Sequence, residues 1–215
     1  MALPNIINSN MNRVGRTSRF FHSGRDRMMV KVFPGGVYTT HDPEIICTGL
    51  GSCISACVWD KYAQVGGMNH FMLPFDETDD IEHWHPTEIL SSAARYGNHA
   101  MELLINQVVR HGASRDNLSI KLFGGGSVIG KQILVGEKNI EFILDYVKQE
   151  HFELVSSDLG GTLPRKIMFD PITGQAWVRK LSMDYAHTLE RDEEKYSRAL
   201  YEETHAPHDN DAELF

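Results

Sequence analysis

The residues best suited to covalent chemistry lie close together. In Thr48-Gly49-Leu50-Gly51-Ser52-Cys53 two glycines precede a thiol. Glycine accepts backbone angles that other residues resist, so this stretch can turn tightly and aim amide N–H groups at a bound group. If the Cys53 thiol attacks a carbonyl carbon, the N–H groups from Gly51 to Cys53, with Ser52 between them, are placed to hold the developing oxyanion. A free thiol is mostly protonated near neutral pH and needs a base or a positive neighbour. His70, in Gly66-Gly67-Met68-Asn69-His70-Phe71, follows seventeen residues after Cys53. A hairpin bent at Asp60-Lys61 would bring the two to similar heights on adjacent strands, as a Cys–His nucleophile pair requires. On spacing alone a buried Cys beside a satisfied strand histidine is the commoner arrangement. Cys47 and Cys57 stand at even separations from Cys53, so all three could share one strand face.

Other patterns imitate sites. Gly125-x4-Gly130-Lys131 resembles a phosphate loop, but Gln132 stands where a magnesium-binding Ser or Thr belongs. Ile133-Leu134-Val135 then run into Gly136, so no helix N-terminus is expected there. Gly49-x-Gly51 lacks the third glycine of a dinucleotide fingerprint and precedes a strand. His83-Trp84-His85 with Asp79, Asp80 and Glu82 could offer metal ligands, yet a third ligand at a recognised spacing is missing and a polar surface loop is expected. No metal and no cofactor is expected.

The elements that must carry Cys53 and His70 are strands. Val30–Thr40 alternates around Pro34-Gly35-Gly36, Ile45–Trp59 is a β-rich segment broken at Gly49 and Gly51, and Val65–Leu73 is its hairpin partner. Phe75–Pro86 reads as an acidic loop. Ala93–His111 is the best helix, with Ala100, Met101, Leu104, Ile105, Val108 and Val109 on one face. Ser119–Phe123 is a strand ending in three glycines, and Asn139–Gln149 is a second helix. Phe152–Ser156, Lys166–Asp170 and Gln175–Arg179 are strands, the last two joined by a turn at 171–174. Strands mixed with two firm helices make an α+β (mixed α/β) domain.

The 215 residues amount to about 1.4 average domains, hence one domain with tails. An apolar fraction of 41% against 23% charged is an ordinary globular balance and excludes wholesale disorder. Net charge of −8 argues against a nucleic-acid partner. Its distribution is uneven: residues 182–215 carry ten acids against three bases, while Arg13, Arg16, Arg19, Arg25 and Arg27 face only Asp26 near the start. The expected division is a basic flexible arm over 1–29, a domain over 30–181, and an acidic, partly helical tail over 182–215 with sparse apolar positions Leu189, Tyr196 and Leu200. Three cysteines cannot all pair, and no apolar run approaches the about 18 residues of a membrane span, so a cytoplasmic protein without membrane insertion is expected.

These motifs together resemble the CheD-type chemoreceptor glutamine deamidases. The likeness is carried by Leu50-Gly51-Ser52-Cys53 and Gly66 to Pro74, then by Arg95-Tyr96-Gly97 and Ala100 to Leu104. It continues through Lys121 to Gly126, Ile129-Gly130, Gly136 to Asn139, Asp158 to Gly161, and Phe169-Asp170-Pro171-x-Thr173-Gly174. The resemblance implies hydrolysis of selected glutamine side chains to glutamate, with loss of ammonia, on the cytoplasmic part of methyl-accepting chemotaxis receptors. It implies Cys53 as nucleophile and His70 as base, with an upstream threonine completing the site. Thr48 is the nearest candidate, with the register open by one residue toward Cys47. A β-sandwich-like core flanked by helices, similar to the catalytic domain of the cytotoxic necrotizing factors, is also implied. Two alternatives compete: a regulatory binding protein for a CheC-type phosphatase, and a Cys–His transglutaminase or amidohydrolase of another substrate class.

Overall fold

The alternating segments pair as strands, in two sheets. The computed structural model describes residues 16–75, 80–86, 91–127 and 132–204. In chain order these form β1 (Thr17–His22), β2 (Arg27–Val32), β3 (Val37–Thr40), β4 (Ile45–Leu50), β5 (Ile54–Asp60), β6 (Val65–Asn69), α1 (Ser92–Arg110), β7 (Ser119–Gly124), α2 (Gln132–Gln149), β8 (Glu153–Leu159), β9 (Arg165–Phe169), β10 (Ala176–Lys180) and α3 (Met183–Thr204). One sheet has the order β1-β2-β4-β9-β10 and the other β3-β6-β5-β7-β8. Both are mixed, with β2–β4 and β7–β8 parallel and the remaining pairs antiparallel. The α+β class expected from the sequence is the observed one.

The chain changes sheet twice near the residues of interest. Pro34-Gly35-Gly36 carries it from β2 in the first sheet to β3 in the second, and Gly51-Ser52-Cys53 carries it from β4 to β5. Alternation along β4 then sorts its side chains. Ile46 and Leu50 join the main core with Ile167 and Phe169, whereas Ile45 and Cys47 join Met29 in a small cluster of their own. The two sheets meet across the main core, where Trp59 lies edge-on to Phe169 at 6.0 Å between centroids. On the second sheet α1 packs over β3, β5 and β6, contributing Met101, Leu104, Ile105 and Val108 to the core. Ser91 caps that helix by accepting from the Ala94 amide at 3.1 Å.

Three expectations change. The helix expected from Asn139 begins at Gln132, so Gly136 lies inside it. An interior glycine costs about 1 kcal/mol of helix stability, which the packing of Phe142, Ile143, Tyr146 and Val147 into the core offsets. A helix N-terminus therefore does follow Gly130-Lys131, and the case against a phosphate loop rests on Gln132 alone; residues 128–131 lie outside the described residues. The three cysteines share no strand face: Cys47 is in the first sheet, Cys57 in the second, and Cys53 in the crossover between them. Described residues on either side of 30–181 also form regular elements. The chain from Thr17 is paired along the whole of β2, and Met183–Thr204 forms the long helix α3 with buried Ala186, Glu193, Tyr196 and Leu200.

The histidine-rich loop behaves as a surface loop. His83 Nδ1 lies 2.8 Å from exposed Asp80, and Trp84 turns inward against Phe75, at 5.1 Å between centroids. Asp79 lies outside the described residues.

Candidate active site

β5 and β6 form the expected hairpin, with Cys57 opposite Met68 and Asp60 opposite Val65. The pairing extends past the strand ends through a bridge of Ile54 to Phe71. Cys53 therefore ends the crossover immediately before β5, and His70 immediately follows β6. Both flank the regular strands, and segments outside those strands take up their backbone hydrogen bonds.

Each is held from several sides. The His70 N–H donates to Gly36 O at 3.0 Å and its carbonyl accepts from Gly35 N at 2.7 Å, so the 34–36 crossover fixes its backbone. The Cys53 carbonyl accepts from Gly125 N at 2.9 Å, and Gly51 O accepts from Gly126 N at 2.8 Å. Gly124 makes this clamp possible: its φ is +113°, and a Cβ there would lie 2.0 Å from the Cys53 carbonyl oxygen. Buried Asn139 on α2 adds a second clamp, accepting from Leu73 N at 2.9 Å and donating to Ser52 O at 2.9 Å. Asn69 ties the neighbouring backbone, accepting from Ala56 N and donating to Ala100 O.

The imidazole is oriented by Thr48. Even-numbered residues of β4 face the main core, so Thr48 and not Cys47 points toward His70. Thr48 Oγ1 donates to Val32 O at 2.8 Å and lies 2.8 Å from His70 Nδ1. A hydroxyl has one proton, and Val32 O can only accept, so Nδ1 carries the proton in this pair. The lone pair is then on Nε2, which is buried and has no hydrogen-bond partner among the described residues. A ring nitrogen of His70, the Cys53 sulfur and a carboxylate oxygen of Glu193 all lie within 4.8 Å of one another.

Glu193 is the residue that sequence reasoning missed. It comes from α3, in the acidic segment expected as a tail, and it is only 1% exposed. Its Oε1 accepts from Gly51 N at 2.8 Å and, at 3.4 Å, from Cys53 N. Its Oε2 accepts from Ser52 N at 2.9 Å and Ser52 Oγ at 2.7 Å. The three amides that the sequence offered as an anion-binding turn thus converge on a carboxylate. Among Asp184, Glu190, Asp192, Glu193 and Glu194 nothing local marks one as buried; the only signal is that Glu193 falls on the apolar stripe with Leu189, Tyr196 and Leu200.

Both reactive groups are neutral in this arrangement. Burial, and then the Glu193 carboxylate, push the Cys53 thiol well above its usual range. Burial lowers the His70 imidazolium to about 3, and the charge of Lys31 acts in the same direction. Cys, His and Glu are also a ligand set that suits zinc, but Glu193 is already satisfied by four donors and Nδ1 by Thr48. The arrangement can accept a proton at Nε2, attack with Sγ, and bind an oxyanion at the amides of 51–53. No helix among the described residues is long and apolar enough to cross a membrane.

Residues 72–180 match the family model described as CheD chemotactic sensory transduction. The chain is 52% identical over 197 residues, 92% of its length and 90% of the relative's, to a protein of Vibrio vulnificus (strain CMCP6) named "Probable chemoreceptor glutamine deamidase CheD". Proteins of the same name from Vibrio cholerae serotype O1 (strain M66-2) and Halorhodospira halophila (strain DSM 244 / SL1) are 53% and 45% identical over 201 residues. Those alignments cover 94% of this chain in both cases, and 85% and 91% of the two relatives.

Proposed function

Because the chain belongs to the CheD family, we propose that it is a protein-glutamine glutaminase, converting selected glutamine side chains of chemoreceptors to glutamate through a thioester on Cys53. Its substrate partner is the cytoplasmic part of a methyl-accepting receptor, and it works in the cytoplasm. The observation that carries this reading is the line from Thr48 through the Nδ1-protonated imidazole to an unpartnered Nε2, on a ring with a nitrogen within 4.8 Å of the Cys53 sulfur.

In the reaction Nε2 takes the thiol proton and the Cys53 sulfur attacks the glutamine Cδ. The carbonyl oxygen becomes an oxyanion held by the N–H groups of Gly51, Ser52 and Cys53, the same donors that now hold a carboxylate. The imidazolium returns its proton to the amide nitrogen, the C–N bond breaks and ammonia leaves. Water, deprotonated by Nε2, then cleaves the thioester to give glutamate and free thiol. Thr48 keeps Nε2 as the basic atom, but a neutral hydroxyl stabilises the imidazolium less than a carboxylate would, so turnover is slow.

Incubating the full chain with a receptor cytoplasmic fragment and mapping peptides by mass spectrometry tests the proposal. Specific glutamines become glutamates, ammonia is released, and Cys53→Ala abolishes both. Unchanged glutamines, or a Cys53→Ala protein as active as wild type, would refute the reading. Incorporation of an added amine in place of water would make the protein a transglutaminase.

A further inference from the structure

The inner face of α3 is a stripe of Ala186, Leu189, Glu193, Tyr196 and Leu200, spaced alternately three and four residues apart, as one face of a helix requires. Four of the five suit a packed seam. The fifth is a carboxylate at its centre, and burying a charge costs several kcal/mol unless hydrogen bonds replace the lost water. Here they do, and the donors are the amides that turn over a glutamine carbonyl under the function proposed above. Glutamate is also the product of that hydrolysis. Resting on that reading, we infer that α3 lies in the substrate cleft as a tethered product mimic, with Glu193 in the place of the newly made glutamate of a helical substrate.

The cleft is shaped for a helix. A Cβ at Gly51 would come within 2.9 Å of Glu193 Oε2, and one at Gly49 within 3.0 Å of Leu189 Cδ2, so a floor without side chains lets a helix come this close. One turn further along α3 the Tyr196 ring lies over Gly35, its hydroxyl meets that of Tyr96, and the Arg16 guanidinium stands 5.6 Å from its centroid. A narrow pocket lined by Gly35, His70 and Tyr96 lies beside it. The partner these contacts fit is an amphipathic helix carrying glutamine, with an apolar residue four positions before it and an aromatic or apolar residue three positions after. Such a helix and α3 cannot occupy the cleft together. With α3 seated, the buried thiol beside a carboxylate is held in its unreactive form.

The full-length Glu193→Gln protein gives a direct test, since a glutamine in that place is a substrate in cis. Its C–N bond is broken, water supplies the new C–OH oxygen, ammonia departs, and Cys53 is regenerated. Peptide mapping is expected to find residue 193 converted to glutamate in this variant, and retained as glutamine when Cys53→Ala is added. In parallel, Glu193→Ala is expected to speed iodoacetamide labelling of Cys53 by about tenfold or more, as removal of a multiply bonded buried carboxylate shifts α3 toward its undocked state. Glutamine retained at 193, with unchanged Cys53 labelling in Glu193→Ala, would overturn the inference, whereas failure to deamidate any receptor fragment despite conversion at 193 would instead overturn the receptor assignment.

Discussion

Cys53 and Cys57 are four residues apart, both free and both fully buried, yet their surroundings differ in kind. Cys57 is in the middle of β5, opposite Met68 on β6 and Lys121 on β7, so its backbone belongs to the ladder on both sides. Burial pushes its thiol up, opposed only in part by Lys121. Cys53 precedes the first ladder pair, its amide turns with those of Gly51 and Ser52 toward one point, and an oriented imidazole lies beside it. The contrast shows that two buried thiols on one chain segment can differ in every neighbour. Under the proposed function it is the end of a strand, where amides and a lone pair are left unspent by the sheet, that makes one of them the nucleophile.

The largest effect expected of this contrast is on catalysis. Cys53→Ala lowers receptor-fragment deamidation by about ten-thousand-fold, to background, while Cys57→Ala stays within about twofold of wild type because its thiol touches no reacting atom. Equal losses in the two variants would erase the distinction. Removing the base follows in size: His70→Gln lowers kcat by about a thousandfold, measured by ammonia release. Thr48→Val keeps the shape but loses the tautomer lock, so kcat falls by about ten- to a hundredfold with KM unchanged; a KM effect alone would make Thr48 a packing residue.

Stability sharpens the comparison on a smaller scale. His70 is depressed to about 3 in the fold, whereas an unfolded histidine titrates near 6.5. Between these values the unfolded chain binds the extra proton, so stability is full above about pH 6.5 and falls by up to about 1.4 kcal/mol per unit as pH drops toward 3. Both buried thiols are raised above 9.0, so the unfolded chain releases protons first and stability also falls as pH rises past about 9. Thermal melts across pH check both flanks, and His70→Gln is expected to flatten the acid one. Smallest is the structural cost of Cys57→Ala, about 1–2 kcal/mol by urea unfolding, with no change in either flank beyond its own thiol.

The hairpin of β5 and β6, the helix α1 and the pairing of β9 with β10 were legible because period-two and period-3.6 patterns are local. The closeness of Cys53 and His70 was legible too, since the hairpin that joins them is itself local, but spacing alone favoured a buried Cys beside a satisfied histidine and only the family resemblance gave them roles. The choice of Thr48 over Cys47 was not legible. It depends on which face of β4 meets the second sheet, and the crossover at 51–53 sets that. The start of α2 was hidden by Gly136, whose local preference is outweighed by the core beneath the helix. Glu193 was hidden most completely, among acids of the same type and 140 residues from the amides it meets.

What the sequence determined alone was therefore a Cys–His pair on one hairpin, a glycine-rich turn beside it, and a mixed fold to carry them, because spacing along a strand translates directly into distance. The tertiary structure alone decided the tautomer of the histidine, the neutrality of the thiol, and the seating of an α3 carboxylate in the amides of the turn. These depend on which distant groups exclude water and supply the missing hydrogen bonds, and no local pattern records that.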